Sequence, residues 1–101
     1  MNRSLMREKA FFLLYQIEVQ KENTKELIEL FYENNEIEKK DVQEYITDIA
    51  EGVNNNQEKI VKTIEKHLKE DWKIQRISKI NLALLKLAIY EIEYKEIPFK
   101  I

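Results

Sequence analysis

The chain has 101 residues, 44% hydrophobic and 36% charged, with a formal net charge of −2, one Gly, one Pro and no Cys; that is one small globular domain without a disulfide framework, a thiolate zinc cluster or a thiol nucleophile. Gly52 stands alone, which excludes the glycine-rich loops that cradle phosphates, because these need two or more glycines. No apolar run is long enough to cross a bilayer and the opening residues lack the apolar stretch of a secretory signal, so the expected location is cytoplasmic.

The first predicted helix covers residues 3–20. Met6, Ala10, Leu13, Leu14 and Ile17 follow the 3.6-residue period, and Leu5, Phe12 and Val19 add a second stripe, so the helix is expected to be buried on more than one side. Asn23 followed by Glu26 marks a capped start for a short second helix, with Leu27, Ile28 and Phe31 inward, which Asn34 and Asn35 stop. A third runs from about Lys39 on the stripe Val42, Tyr45, Ile46, Ile49 and Val53, until Asn54, Asn55 and Asn56 break it. A fourth buries Ile60, Val61, Ile64 and Leu68 and fades near Asp71 and Trp72.

Ser78 then caps a fifth helix. Between Ile80 and Ile92 only Asn81, Lys86 and Glu91 are strongly polar, so this helix is expected to be central, with two apolar sides that the first four helices do not both cover. The period-2 signature of strands is missing throughout, and the expected fold is all-α. After the fifth helix, Ile97-Pro98-Phe99-Lys100-Ile101 reads as an interrupted start of a further element.

Charge is unevenly spread. Residues 1–9 carry Arg3, Arg7 and Lys9 against Glu8, residues 20–51 carry four lysines against ten acids, and residues 57–79 carry seven cations against four acids. Such polarity marks either a polyanion-binding face or the solvated exterior of helices, and both readings stay open. Chemistry is harder to find. His67 has no metal-binding partner at helical spacing, Ser4 and Ser78 have no base in evidence, and no catalytic residue, metal ligand or cofactor is expected.

Three runs together resemble the NusB family of transcription antitermination factors. They are Arg3-x-x-x-Arg7-Glu8-x-Ala10-x-x-x-Leu14-Tyr15-Gln16, then Leu84-Leu85-Lys86-Leu87-Ala88-Ile89-Tyr90-Glu91, and last Ile97-Pro98-Phe99-Lys100-Ile101, with Trp72 and Arg76 matching the family's Trp-x-x-x-Arg. The resemblance spans the whole chain. It implies a NusB-like bundle of about five helices, with residues 1–54 as an N-terminal bundle and 57–101 as a C-terminal one that lacks the family's last two helices. It also implies a non-enzymatic protein that binds boxA RNA of ribosomal leader transcripts with ribosomal protein NusE and loads onto elongating RNA polymerase.

On that resemblance Arg3 and Arg7 are RNA-contact positions, with Tyr15 on the same helix, while Asn81 and Phe99 fall at the protein-partner edge. Asn81 departs from a position often acidic in the family, and an amide cannot make a charge-assisted bond there. The residues themselves support the RNA reading: Arg3 and Arg7 share a helix face at a spacing of four, and the guanidinium fork fits phosphate oxygens. Lys9 belongs to the same basic start. Tyr15 either stacks an unpaired base or packs at the core rim. Arg76 and Lys79 either extend the basic track or pair with the acidic middle. Two other functions remain in view: an RNA-binding domain of the kind found in front of ribosomal RNA cytosine methyltransferases, and a helical protein-interaction module. The two apolar sides of residues 80–92 further predict self-association through that helix.

Overall fold

The computed structural model describes residues 1–68 and 73–95. Five helices carry the described chain: α1 Arg3–Gln20, α2 Thr24–Asn34, α3 Lys40–Asn55, α4 Gln57–Lys66 and α5 Lys79–Tyr94, with a 3-10 turn at Ile74–Arg76. The described residues contain no strand, so the all-α expectation holds. No helix among them is long and apolar enough to cross a membrane.

Short polar side chains set the helix ends. The Asn2 Oδ1 accepts from the Leu5 N–H at 2.8 Å, the Asn23 Oδ1 from the Glu26 N–H at 3.2 Å, and the Ser78 Oγ from the Asn81 N–H at 3.2 Å. Each satisfies one of the free amides of a first turn, a contribution of about 1 kcal/mol. α1 closes on Lys21 in the left-handed region (φ 51°), whose N–H donates to the Ile17 carbonyl. Asn56 ends α3 and begins α4, its side-chain amide donating to the Gly52 carbonyl at 2.7 Å.

α1 packs against α2, α3 and α5, and α4 packs against α3 and α5. Leu13, Ile46, Ile60 and Leu87, one from each of α1, α3, α4 and α5, are essentially inaccessible to solvent. Removing each such side chain from water stabilises by about 1.5–3 kcal/mol.

One burial expectation is corrected. Leu5, Phe12 and Val19 are exposed (39%, 45% and 45%), because the neighbours of α1 all lie on its Ala10-Leu13-Leu14-Ile17 side. In α5 an apolar side stays uncovered, as expected, with Ile80, Leu84, Leu85 and Ile92 exposed, while the polar residues Lys86 and Glu91 face inward with Ala83, Leu87 and Tyr90. Each of the two inward charges meets an opposite charge from α1, Lys86 with Glu18 and Glu91 with Arg7. α4 ends at Lys66, before the predicted fade; Trp72 and the segment 96–101, with Phe99, lie outside the described residues.

Candidate nucleic-acid interface

At one end of the molecule the start of α1, the middle of α3 and the last turns of α5 come together. The Arg7 Nε donates to Glu91 Oε1 and Oε2 at 3.0 and 2.9 Å, and its Nη2 to Oε1 at 2.8 Å. The Glu91 side chain is 10% exposed and that of Arg7 45%. The hydrogen bonds to Glu91 raise the Arg7 guanidinium above its ordinary value, against the opposing effect of burial. These contacts use Nε and Nη2, and among the described residues Nη1 makes no hydrogen bond.

Tyr45 of α3 joins this group. Burial pushes its hydroxyl up and the Glu91 charge adds to that, while Arg3 and Arg7 act in the opposite sense, so all four side chains belong to one electrostatic cluster. Asp48, one turn further along α3, pairs with Lys95 at the end of α5 and accepts from the Tyr90 hydroxyl at 3.3 Å. The bond to Asp48 holds the Lys95 ammonium above its usual range. Tyr94 stacks on Tyr90, with ring centroids 5.4 Å apart and planes at 21°.

The predicted RNA residues divide into separate places. Arg3 and Arg7 stand together at the Tyr45 edge, as their spacing of four requires. Lys9 lies about 160° around α1 from Arg7, by the 100° step of the helix, and points to another side. Tyr15 is 36% exposed and lies about 12 Å along α1 from Arg7, towards the side of Phe12 and Val19. Arg76 and Lys79 are exposed at the opposite end of the molecule, Lys79 about 18 Å along α5 from Glu91. Asn81 is exposed in the first turn of α5.

That opposite end is built differently. Lys86 is almost wholly buried, paired with Glu18 of α1 and donating to the Gln57 Oε1 of α4 at 2.9 Å. These three side chains line the floor of an open cavity of about 660 Å³, with Lys21 and Lys79 also on its wall. Sequence reasoning missed Glu91, Tyr94 and Lys95 as members of the cluster at the first end, and took Tyr45 only as a core residue. One signal was available for Glu91 and Lys86: a lone charge in an otherwise apolar helix has to find a partner when the helix is buried.

Comparison with known proteins gives a consistent answer. The model of the NusB family matches residues 4–101. The transcription antitermination protein NusB of Acetivibrio thermocellus is 46% identical over 102 residues, covering 100% of this chain and 69% of that protein. The protein of the same name from Clostridium acetobutylicum is 47% identical, covering 100% of this chain and 74% of its own length. Among solved structures, a chain in the crystal structure of a plectonemic RNA supercoil superposes with a TM-score of 0.83 at 30% identity, covering 91% of this chain and 66% of that one.

Proposed function

The chain belongs to the NusB family, and from that premise we propose that it acts as a transcription antitermination factor by binding single-stranded, boxA-type RNA of ribosomal leader transcripts, with Arg3 and Arg7 as its first contacts. Ribosomal protein NusE is its partner in that reading and the elongating RNA polymerase its destination, in the cytoplasm and without catalysis of its own. The observation that carries the RNA assignment is the arginine pair at the open edge of α1 beside Tyr45. Guanidinium groups one helical turn apart reach neighbouring phosphates, and an adjacent phenol ring adds a surface for a base. Because Arg7 already holds Glu91, the exposed Arg3 and the Arg7 Nη1 are the groups offered to phosphate.

The test is a salt titration of binding to a boxA-type oligoribonucleotide. Affinity should fall steeply with salt as counterions are released, and Arg3→Ala should weaken binding and flatten the slope by about 0.7. Salt-independent binding, or an Arg3→Ala protein that binds like the native one, overturns the assignment.

A protein contact is favoured by a different observation. Leu85, Ile89 and Ile92 of α5 line an apolar groove of about 460 Å³ with Ile64 and Leu68. Asn81 lies on the same outward side of α5, by the 100° step. In this reading the groove receives a protein surface, either NusE or a second copy of the chain. Sedimentation of the chain alone and mixed with NusE separates the two, and a monomer that ignores NusE at every concentration rejects both.

A further inference from the structure

Arg3 and Arg7 supply cations, and the rings offered to a base so far are the partly buried Tyr45 beside them and Tyr15, which the sequence nominates. The structure offers a better placed ring. Tyr94 lies on the side of α5 that carries Tyr90 and Glu91, four and three residues back, and so belongs to the end of the molecule where Arg3, Arg7 and Tyr45 meet. One of its faces is taken by the Tyr90 ring in a near-parallel stack, and Tyr90 is itself fixed, 95% buried with its hydroxyl on Asp48. Tyr94 is 37% exposed. Lys95 follows directly, its side chain 41% exposed even while it pairs with Asp48.

We infer that Tyr94 is a base-stacking platform, and that an unpaired nucleotide continues the Tyr90–Tyr94 stack with its phosphates directed to Lys95, Arg7 and Arg3. This rests on the RNA reading above and adds to it the residue that binds the base. A ring already backed by a second, buried ring is held in place before the ligand arrives, so little rotamer freedom is lost when a base lands on it. Stacking of this kind tolerates any base, because every base has a π-face. Among the described residues no ring stacks on Tyr15, which stands about 12 Å along α1 from Arg7, on the side of the exposed Phe12 and Val19.

The experiment measures anisotropy of a short fluorescein-labelled single-stranded oligoribonucleotide against the native chain and the variants Tyr94→Ala, Tyr94→Trp, Tyr15→Ala and Arg3→Ala, with helix content checked by circular dichroism. Tyr94→Ala should weaken binding about tenfold at every salt concentration, leaving the salt slope unchanged, and Tyr94→Trp should restore it. Tyr15→Ala should bind as the native chain does. If Arg3→Ala weakens binding while Tyr94→Ala binds normally, the platform is rejected and the RNA reading stands. If the native chain binds no RNA at low salt, the RNA reading falls and the platform with it. If Tyr94→Ala and Tyr94→Trp weaken binding equally with helix content intact, the ring does not stack a base, and the inference is overturned.

Discussion

Arg7 and Glu91, 84 positions apart in the chain, are joined by a forked ion pair that ties the start of α1 to the last turns of α5. The same carboxylate that orients Arg7 also neutralises it, so the pair bears on stability and on RNA affinity in opposite directions. Arg7→Ala leaves the carboxylate largely buried and should cost about 1–3 kcal/mol in urea unfolding. Glu91→Gln keeps a hydrogen-bonding shape and removes one negative charge beside the proposed RNA edge. It should cost less stability and tighten RNA binding roughly two- to fivefold, the size of one surface charge interaction. Weaker binding by Glu91→Gln at unchanged stability would mean that the carboxylate serves RNA by aiming Arg7.

Lys86 and Glu18 form the corresponding pair at the other end, and here both side chains are almost fully enclosed, at 7% and 11% exposure. Lys86→Ala strands the Glu18 carboxylate and should lose about 3–5 kcal/mol. The double replacement Glu18→Leu with Lys86→Met removes both charges at similar volume and should recover most of that loss. Urea midpoints of the two single variants and the double variant decide the point; a double variant no better than Lys86→Ala would show that the pair contributes more than its mutual neutralisation.

Gly52 lies in α3 where the Tyr90 ring and hydroxyl press against the backbone, so closely that an added Cβ would overlap them. Gly52→Ala should therefore destabilise the native chain by about 1–3 kcal/mol. In a Tyr90→Ala background the obstruction is gone, and the helix preference of Ala over Gly should make the same change stabilising by up to about 1 kcal/mol. Thermal melts of the four proteins test this reversal of sign, and equal effects in both backgrounds would contradict it.

Alkaline pH offers a fourth check. Burial raises the hydroxyls of Tyr32, Tyr45 and Tyr90 above the ordinary tyrosine range, and the Asp48 bond raises Lys95. A group whose folded value is raised supports the fold fully below its unfolded value and loses that support as pH climbs through the folded one. The melting temperature should thus begin to fall near pH 10, where unfolded tyrosine ionises. Tyr45→Phe should make that fall shallower, and a melting temperature that rises across the same range would refute the assignment.

Much of the fold was legible in the sequence. The 3.6-residue stripes in α1, α3 and α4, the Asn23 and Ser78 caps and the Asn54–Asn56 break are local patterns, and local backbone chemistry decides helix ends. The family resemblance rested on short runs spread along the chain, and the comparisons uphold it. The candidate site was only partly legible: Arg3 and Arg7 share an edge because their spacing is local, but their companions Tyr45, Glu91, Tyr94 and Lys95 come from helices far along the chain.

What the sequence alone determined was therefore what is set within a few residues: the five helices of the described residues and the caps at Asn23 and Ser78. Only the tertiary structure decided which faces are dry. Leu5, Phe12 and Val19 form as regular a stripe as Ala10, Leu13 and Ile17, and Leu85 is as apolar as Leu87, yet in each case one set is buried and the other exposed. Hydrophobicity pulls any apolar side chain inward without naming its neighbour, whereas a charge must have a particular partner once it leaves water. The inward turn of α5 follows from Lys86 and Glu91 meeting Glu18 and Arg7, and those meetings exist only after α1 and α5 lie side by side.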